Sequence, residues 1–158
     1  MNQLNPAQVT LRTVAESDLP IFYQHQLDPD ATRMAAFPSR GEEPFMKHWH
    51  KILSDERNIN RTILYNDEVA GNIACYPMEG QREIGYWIGK GFWGKGIATE
   101  ALRQLLSLVA ERPLYAHVVQ HNLGSRRVLE KCGFTVISED SYTHDDGTSV
   151  EEYLLRLD

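Results

Sequence analysis

The chain has 158 residues, 42% of them hydrophobic and 24% charged, and a formal net charge of −6 at pH 7. This length suits a single domain, 1–158, able to bury roughly two thirds of the surface its unfolded chain exposes. No apolar run reaches the ~20 residues that span a bilayer, and an acidic surface disfavours nonspecific nucleic-acid binding, so neither membrane nor nucleic acid is expected as a partner.

In chain order, Met1–Thr10 has neither a basic leader region nor an apolar stretch for export, and a cytoplasmic protein is expected. Val9–Thr13 alternates as a first strand. Glu16–Leu27 has helical spacing at Leu19, Phe22, Tyr23 and Leu27, with Ser17 or Asp18 as cap. Asp28-Pro29-Asp30 and Phe37-Pro38-Ser39 then bracket a poorly patterned stretch. A second helix, Glu42–Leu53, shows Phe45, Trp49, Ile52 and Leu53 on one face. Strands are predicted at Thr62–Tyr65, Val69–Tyr76 and Glu83–Gly89, joined by Asn66-Asp67 and Glu79-Gly80 as hairpin turns. From Ile97 the period becomes helical through Ala98, Ala101, Leu102, Leu105, Leu106 and Val109, ending before Pro113. Leu114–Val119 reads as a strand, Gly124–Cys132 as a short helix, and Phe134–Glu139 and Val150–Leu157 as strands closed by an Asp145-Asp146-Gly147 turn. The order β-α-α-β-β-β-α-β-α-β-β indicates an α+β fold with a mixed sheet.

Charge is unevenly placed. Residues 90–131 hold seven Lys or Arg against three Glu, a balance of +4, which leaves −10 on the rest of the chain. Such a split suits an anionic ligand on one part of the surface and a cationic one elsewhere, as scattered charges on solvated faces also would. Cys75 and Cys132 lack CxxC spacing and read as two reduced thiols. His48 and His50, two apart on a helix, cannot share a face, and His117 and His121 straddle a strand end, so no metal is expected.

The most informative segment is Gly89-Lys90-Gly91-Phe92-Trp93-Gly94-Lys95-Gly96-Ile97-Ala98, between a strand and the strongest helix. Glycines let a backbone approach a ligand closely, and the first N–H groups of a helix lack internal partners, which makes a phosphate site. Gly89-x-Gly91-x-x-Gly94 fits a dinucleotide fingerprint, but the acid expected about 20 residues on does not end the next strand. Gly89-x-x-x-x-Gly94-Lys95 nearly fits a P-loop, yet Gly96 replaces the Ser or Thr that holds Mg²⁺. Both rivals also open parallel sheets, whereas three strands joined by short hairpins come first here.

The turn resembles the pyrophosphate loop of the GNAT acetyltransferase superfamily, Gln/Arg-x-x-Gly-x-Gly/Ala, with Gly96 and Ala98 in place. The resemblance continues through Thr99-Glu100-Ala101-Leu102 and recurs at Asn122-x-x-Ser125-x-x-x-Leu129-Glu130-Lys131-x-Gly133-Phe134. The Glu83-Ile84-Gly85-Tyr86-Trp87 strand and Trp93-Gly94-Lys95-Gly96 look most like the branch containing ribosomal-protein serine and alanine N-terminal acetyltransferases. The resemblance implies a mixed, mostly antiparallel twisted sheet of six to seven strands flanked by about four helices. It also implies an acetyl-CoA-dependent N-acetyltransferase acting on a primary amine, at a protein N-terminus or in a small molecule, by direct attack in a ternary complex. Acetyl-CoA would be a co-substrate, the acceptor amine the other partner, and the molecule a monomer or homodimer.

On this reading the cofactor is met by Trp87, Ile88, Trp93, Gly94, Lys95, Gly96, Ile97, Ala98, Thr99, Asn122, Ser125 and Arg126, or by Arg127 in place of Arg126. Trp93 stands where Gln or Arg is usual, so the phosphates would rest on backbone N–H groups of Gly94–Thr99, with Lys95 beside them. The N–H of Ile88 would meet the oxyanion. An ammonium acceptor of pKa near 10.4 needs a base. Glu83 is the candidate, acting through water, or else is a strand-end carboxylate. Glu100, in the first turn of its helix, is a dipole partner. Leu129 stands where many members carry the Tyr that protonates the leaving thiolate; Ser125 is a substitute or a helix cap. Trp49, Phe45 and Phe37 line an acceptor pocket or form core. The missing Tyr leaves open a second function, an inactive CoA-binding or interaction module of the same fold.

Overall fold

The structure is a computed structural model that describes residues 8–36 and 38–158. The N-terminal segment before Gln8 and Phe37, proposed above as a pocket residue, lie outside it. Strands are β1 (Val9–Thr13), β2 (Ile59–Tyr65), β3 (Glu68–Met78), β4 (Gln81–Ile88), β5 (Leu114–Val119), β6 (Thr135–Thr143) and β7 (Ser149–Leu157). Helices are α1 (Leu19–Leu27), α2 (Pro29–Ala35), α3 (Glu42–Leu53), α4 (Ile97–Leu108) and α5 (Leu123–Lys131). Among the described residues they are five, where about four were expected. The addition is α2, in the stretch that looked unpatterned: the Asp28 carboxylate accepts from Asp30 N and Ala31 N, and Pro29 occupies the first turn, where its missing N–H costs nothing.

One sheet runs in the order β1-β2-β3-β4-β5-β7-β6. The β1–β4 meander turns at Asn66-Asp67 and Glu79-Gly80, all four residues having positive φ, as tight two-residue hairpins require. Among the described residues the only parallel contact, β4 with β5, pairs just Arg82 with Leu114 and Glu83 with Tyr115. Beyond that point the two strands carry no paired residues, so the sheet opens in its middle.

Each face is covered by helices of matching pattern. The main core joins Ile97, Ala101, Leu102 and Leu105 of α4 and Leu129 of α5 to Ile63, Ile73, Ile84, Ala116 and Leu155 of the sheet. A fully buried aliphatic side chain of this kind contributes about 1.5–3 kcal/mol. A second cluster, Leu19 and Phe22 of α1 with Phe45 and Trp49 of α3, packs against Val69 at the other face. The split between β4 and β5 therefore lies between two helical layers.

Candidate active site

A cleft of about 490 Å³ lies where the sheet opens, lined by Tyr86, Trp87 and Ile88 of β4, the turn and first residues of α4, Asn122 to Lys131 of α5, and Ala31, Met34 and Ala35 of α2. Helix α2 is held over it from three sides: Lys90 pairs with Asp30, His121 Nε2 donates to the Arg33 carbonyl at 2.8 Å, and His144 Nε2 donates to the Ala36 carbonyl at 2.9 Å.

The floor of the cleft is built for an anion. Gly94 and Gly96 have φ of 76° and 77°, a region side-chain-bearing residues rarely adopt, and no side chain caps α4. Its first intrahelical bond is Glu100 N–H to the Gly96 carbonyl, so the N–H groups of Ile97, Ala98 and Thr99 have no helical partner. With the helix dipole behind them, they suit a phosphate. Arg127 and Lys131 are the cations lining the cleft.

Trp93 donates its indole N–H to the Ile88 carbonyl at 2.8 Å. Gly89 N–H donates to the Ala70 carbonyl on β3, so by alternation along the strand the N–H and C=O of Ile88 face the opening instead. The indole therefore occupies that carbonyl and leaves the N–H directed at the cleft.

On the other face of β4 a cavity of about 160 Å³ is lined by Phe22, Gln26, Arg40, Phe45, His48, Trp49, Asn72 and Trp87, among others. Trp87 lines both cavities, and its indole nitrogen is buried with no hydrogen-bond partner.

Two polar pairs flank the opening. Glu83, only 4% exposed, places Oε1 2.5 Å from His117 Nδ1 and accepts from the Tyr76 hydroxyl at 3.4 Å. His117 stands two residues past the last β4–β5 pair with 32% of its side chain open, and its Nε2 is 4.0 Å from Glu152. Hydrogen bonding to Glu83 raises the imidazole pKa against the opposing cost of burial, with Glu83, Glu152 and Asp140 adding charge in the same upward direction. With Nδ1–H given to Glu83, neutral His117 presents an acceptor lone pair at Nε2. Tyr76 is pushed up by burial and by Glu83. The second pair is Tyr86 and Ser125, both cleft-lining, with hydroxyls 2.6 Å apart. Burial pushes Tyr86 up to about 12 although its bond to Ser125 pulls down.

Of the residues singled out from the sequence, Trp87, Ile88, Trp93, Gly94, Gly96, Ile97, Ala98, Thr99, Asn122 and Ser125 line one cleft. Lys95 is exposed and does not line it. Nor does Arg126, which bonds Glu130 at 3.3 Å and stacks over Tyr153 at 4.6 Å, while Arg127 beside it does. The α5 cap is Asn122, whose side chain accepts from Ser125 N at 3.2 Å, and this frees the Ser125 hydroxyl for Tyr86. Neither Glu83 nor His117 lines either cavity; the pair stands where β4 and β5 part. His117, considered in the sequence only as a metal ligand, is the main candidate group that the sequence reading missed; its partner lies 34 residues away, and no local pattern signals the pair. Among the described residues no group of His, Cys, Asp and Glu is arranged to hold a metal ion, and no helix is long and apolar enough to cross a membrane.

Comparison with known proteins agrees with this geometry. YdaF of Bacillus subtilis (strain 168), provisionally named a ribosomal N-acetyltransferase, is 33% identical over 99 residues, which span 58% of this chain and only 54% of YdaF. Two solved structures share the fold: RimL, the ribosomal L7/L12 alpha-N-protein acetyltransferase, has a TM-score of 0.80 at 22% identity over 95% of this chain and 90% of its own. Spermidine N-acetyltransferase from Vibrio cholerae, solved with CoA and spermine, has a TM-score of 0.81 at 16% identity over 96% and 95%. The model of the acetyltransferase (GNAT) domain matches residues 8–135, and with the glycine turn and the split sheet inside that span, the chain belongs to the GNAT acetyltransferase family.

Proposed function

We propose that this protein is an N-acetyltransferase that moves the acetyl group of acetyl-CoA to a primary amine by direct attack in a ternary complex. The observation that carries the reading is the pair of cavities on opposite faces of β4, one with an uncapped helix N-terminus for phosphates, meeting at Trp87 beside the opened sheet. The residues present fit CoA: backbone N–H groups of Ile97 to Thr99 with Arg127 and Lys131 for the phosphates, and Asn122 beside the narrow arm.

In the reaction, His117 takes a proton from the acceptor ammonium, with Glu83 fixing its tautomer and stabilising the imidazolium formed. The amine nitrogen then attacks the acetyl carbon; the C–N bond forms as the C–S bond breaks. The N–H of Ile88 meets the negative charge that develops on oxygen. The proton that the nitrogen loses as the amide forms reaches the departing thiolate by relay through the Ser125 hydroxyl, which Tyr86 orients and which ends neutral. A thiol of pKa about 8.5 leaves readily, so loss of the usual Tyr at Leu129 does not abolish the step. The two polar pairs favour this reading over an inactive CoA-binding module. A cytoplasmic location and a monomer or homodimer belong to the same proposal; the two unlinked cysteines support the former.

The test is a thermal-shift titration with acetyl-CoA, CoA, ATP and NAD, followed by thiol release from an amine panel. A ligand at 100 times its Kd adds about 2.7 kcal/mol of stability. Stabilisation by the CoA forms alone, with amine-dependent thiol release, is the expected result; no response to CoA defeats the proposal.

A further inference from the structure

We propose that the acceptor is an amino-carboxylate, a molecule with its reactive amine at one end and a carboxylate roughly 7 Å away, and that Arg40 and His48 select it over polyamines. The inference rests on the acetyl-transfer reading and concerns the acceptor side of the same site.

The cross-strand register fixes the layout. On the face of the sheet that carries Trp87, Glu83 and Gly85 precede it on β4, while Tyr76 and Asn72 stand opposite Glu83 and Trp87 on β3. Gly85 has no side chain to fill its row; a Cβ there would meet the Tyr76 ring at 3.3 Å. The opening between β4 and β5 starts at this row, since pairing stops at Glu83 and Tyr115, and His117 is the β5 residue beside it. An amine reaching the thioester from this face passes between His117 and Trp87.

The two ends of that passage have opposite charge. Around His117 stand Glu83 at 2.5 Å and Glu152 at 4.0 Å, with Asp140 adding to the same negative field. These carboxylates attract an ammonium group. Past Trp87, the ionisable side chains among the described residues lining the second cavity are Arg40 and His48, and none of those residues is acidic. Burial and the charges of Arg40 and Lys51 disfavour the protonated form of His48, as a positive field requires. The main chain of Arg40 is fixed by Gln26, whose Oε1 accepts from Arg40 N at 2.7 Å and whose Nε2 donates to the Arg40 carbonyl at 3.1 Å.

The apolar walls of the second cavity, beside Arg40 and His48, are Trp87, Trp49, Phe45 and Phe22. Two residues of extended strand, from the Gly85 row to the Trp87 row, cover about 7 Å. The matching ligand has an ammonium, a few apolar atoms and an anion at that spacing. A polyamine would bring a second cation against Arg40, at a cost like-charge contacts impose in desolvated sites.

The decisive experiment uses three amines of one chain length that differ at the far end: 5-aminopentanoate, 5-aminopentanamide and cadaverine. With acetyl-CoA and the whole chain, kcat/KM is expected to fall at least tenfold from carboxylate to amide and again from amide to cadaverine. Arg40→Gln is expected to cut the carboxylate-to-amide ratio roughly tenfold, the loss of one charge-assisted contact. His48→Gln is expected to lower it less, and melting temperatures verify that both variants fold. Cadaverine used as well as 5-aminopentanoate, or a ratio untouched by both substitutions, overturns the inference. Acetylation of other amines in a broad screen, with none of these three turned over, overturns it too while leaving acetyl transfer in place. Absence of thiol release from every amine overturns both.

Discussion

His117 Nδ1 and Glu83 Oε1 lie 2.5 Å apart at the point where β4 and β5 separate, the carboxylate buried and the imidazole partly open. As a base, His117 works only when neutral, and Glu83 holds its folded pKa above the usual 6.5. Corrected for acceptor ionisation, the rate is therefore expected to rise with pH along a limb whose midpoint lies above 6.5. In Glu83→Gln that midpoint moves down and kcat falls; a midpoint unmoved by the substitution separates the base from this pair. The same pairing stabilises the fold fully below pH 6.5 and loses that contribution as pH rises through the raised value.

Ser125 and Tyr86 supply a second kinetic test. If Ser125 protonates the thiolate, Ser125→Ala lowers kcat about tenfold while KM for acetyl-CoA changes little, since only a transition-state contact is lost. Tyr86→Phe keeps the ring in the cleft wall but removes the partner hydroxyl at 2.6 Å, so a smaller fall in kcat is expected. A fall confined to KM in Ser125→Ala would make the residue a CoA contact only.

The order of the elements along the chain and the glycine turn before α4 are legible because both are local: hairpin dipeptides, periodicity, and glycines before an amphipathic helix. Asp28-Pro29 was read as a break, although Asp before Pro is equally the start of a helix, and α2 has too few residues to show a period. Strand β6 runs on to Thr143, four residues past its predicted end, because it is exposed along nearly its whole length and needs no apolar alternation. Arg126 and Arg127 are adjacent and chemically identical; only the phase of α5 sends one to Tyr153 and the other to the cleft. Glu83 and His117 meet through tertiary pairing of strands with a helix between them, which no spacing rule captures.

Acid stability depends on a buried carboxylate outside the site. Asp18, 2% exposed, accepts from Arg12 at 2.7 and 2.8 Å, from the Thr62 hydroxyl at 2.6 Å and from Ala15 N at 2.8 Å. Burial alone would raise its pKa, but these donors hold it down to about 2. A depressed carboxylate stabilises the fold above its unfolded value near 3.9, and that stability drains away as pH falls toward 2. Asp18→Asn is expected to cost about 2–3 kcal/mol at pH 7 in urea unfolding and to flatten the acid limb. An unchanged acid limb would mean that the ion pair, with Arg12 39% open to solvent, is screened out.

Gly96→Ala tests the anion site by backbone geometry rather than charge. At φ 77° an alanine is strained by about 1 kcal/mol or more, and relief requires rotating the peptide that leads into Ile97, Ala98 and Thr99. Those three N–H groups are the ones without helical partners, so their aim at a phosphate is lost with the turn. The expected result is a modest fall in melting temperature without ligand and a much larger fall in the shift CoA produces. Lys95→Ala, by contrast, alters an exposed cation that does not line the cleft, and the CoA shift is expected to change little. If Lys95→Ala weakens CoA more than Gly96→Ala does, the phosphates are held by side-chain charge and the helix terminus is not their seat.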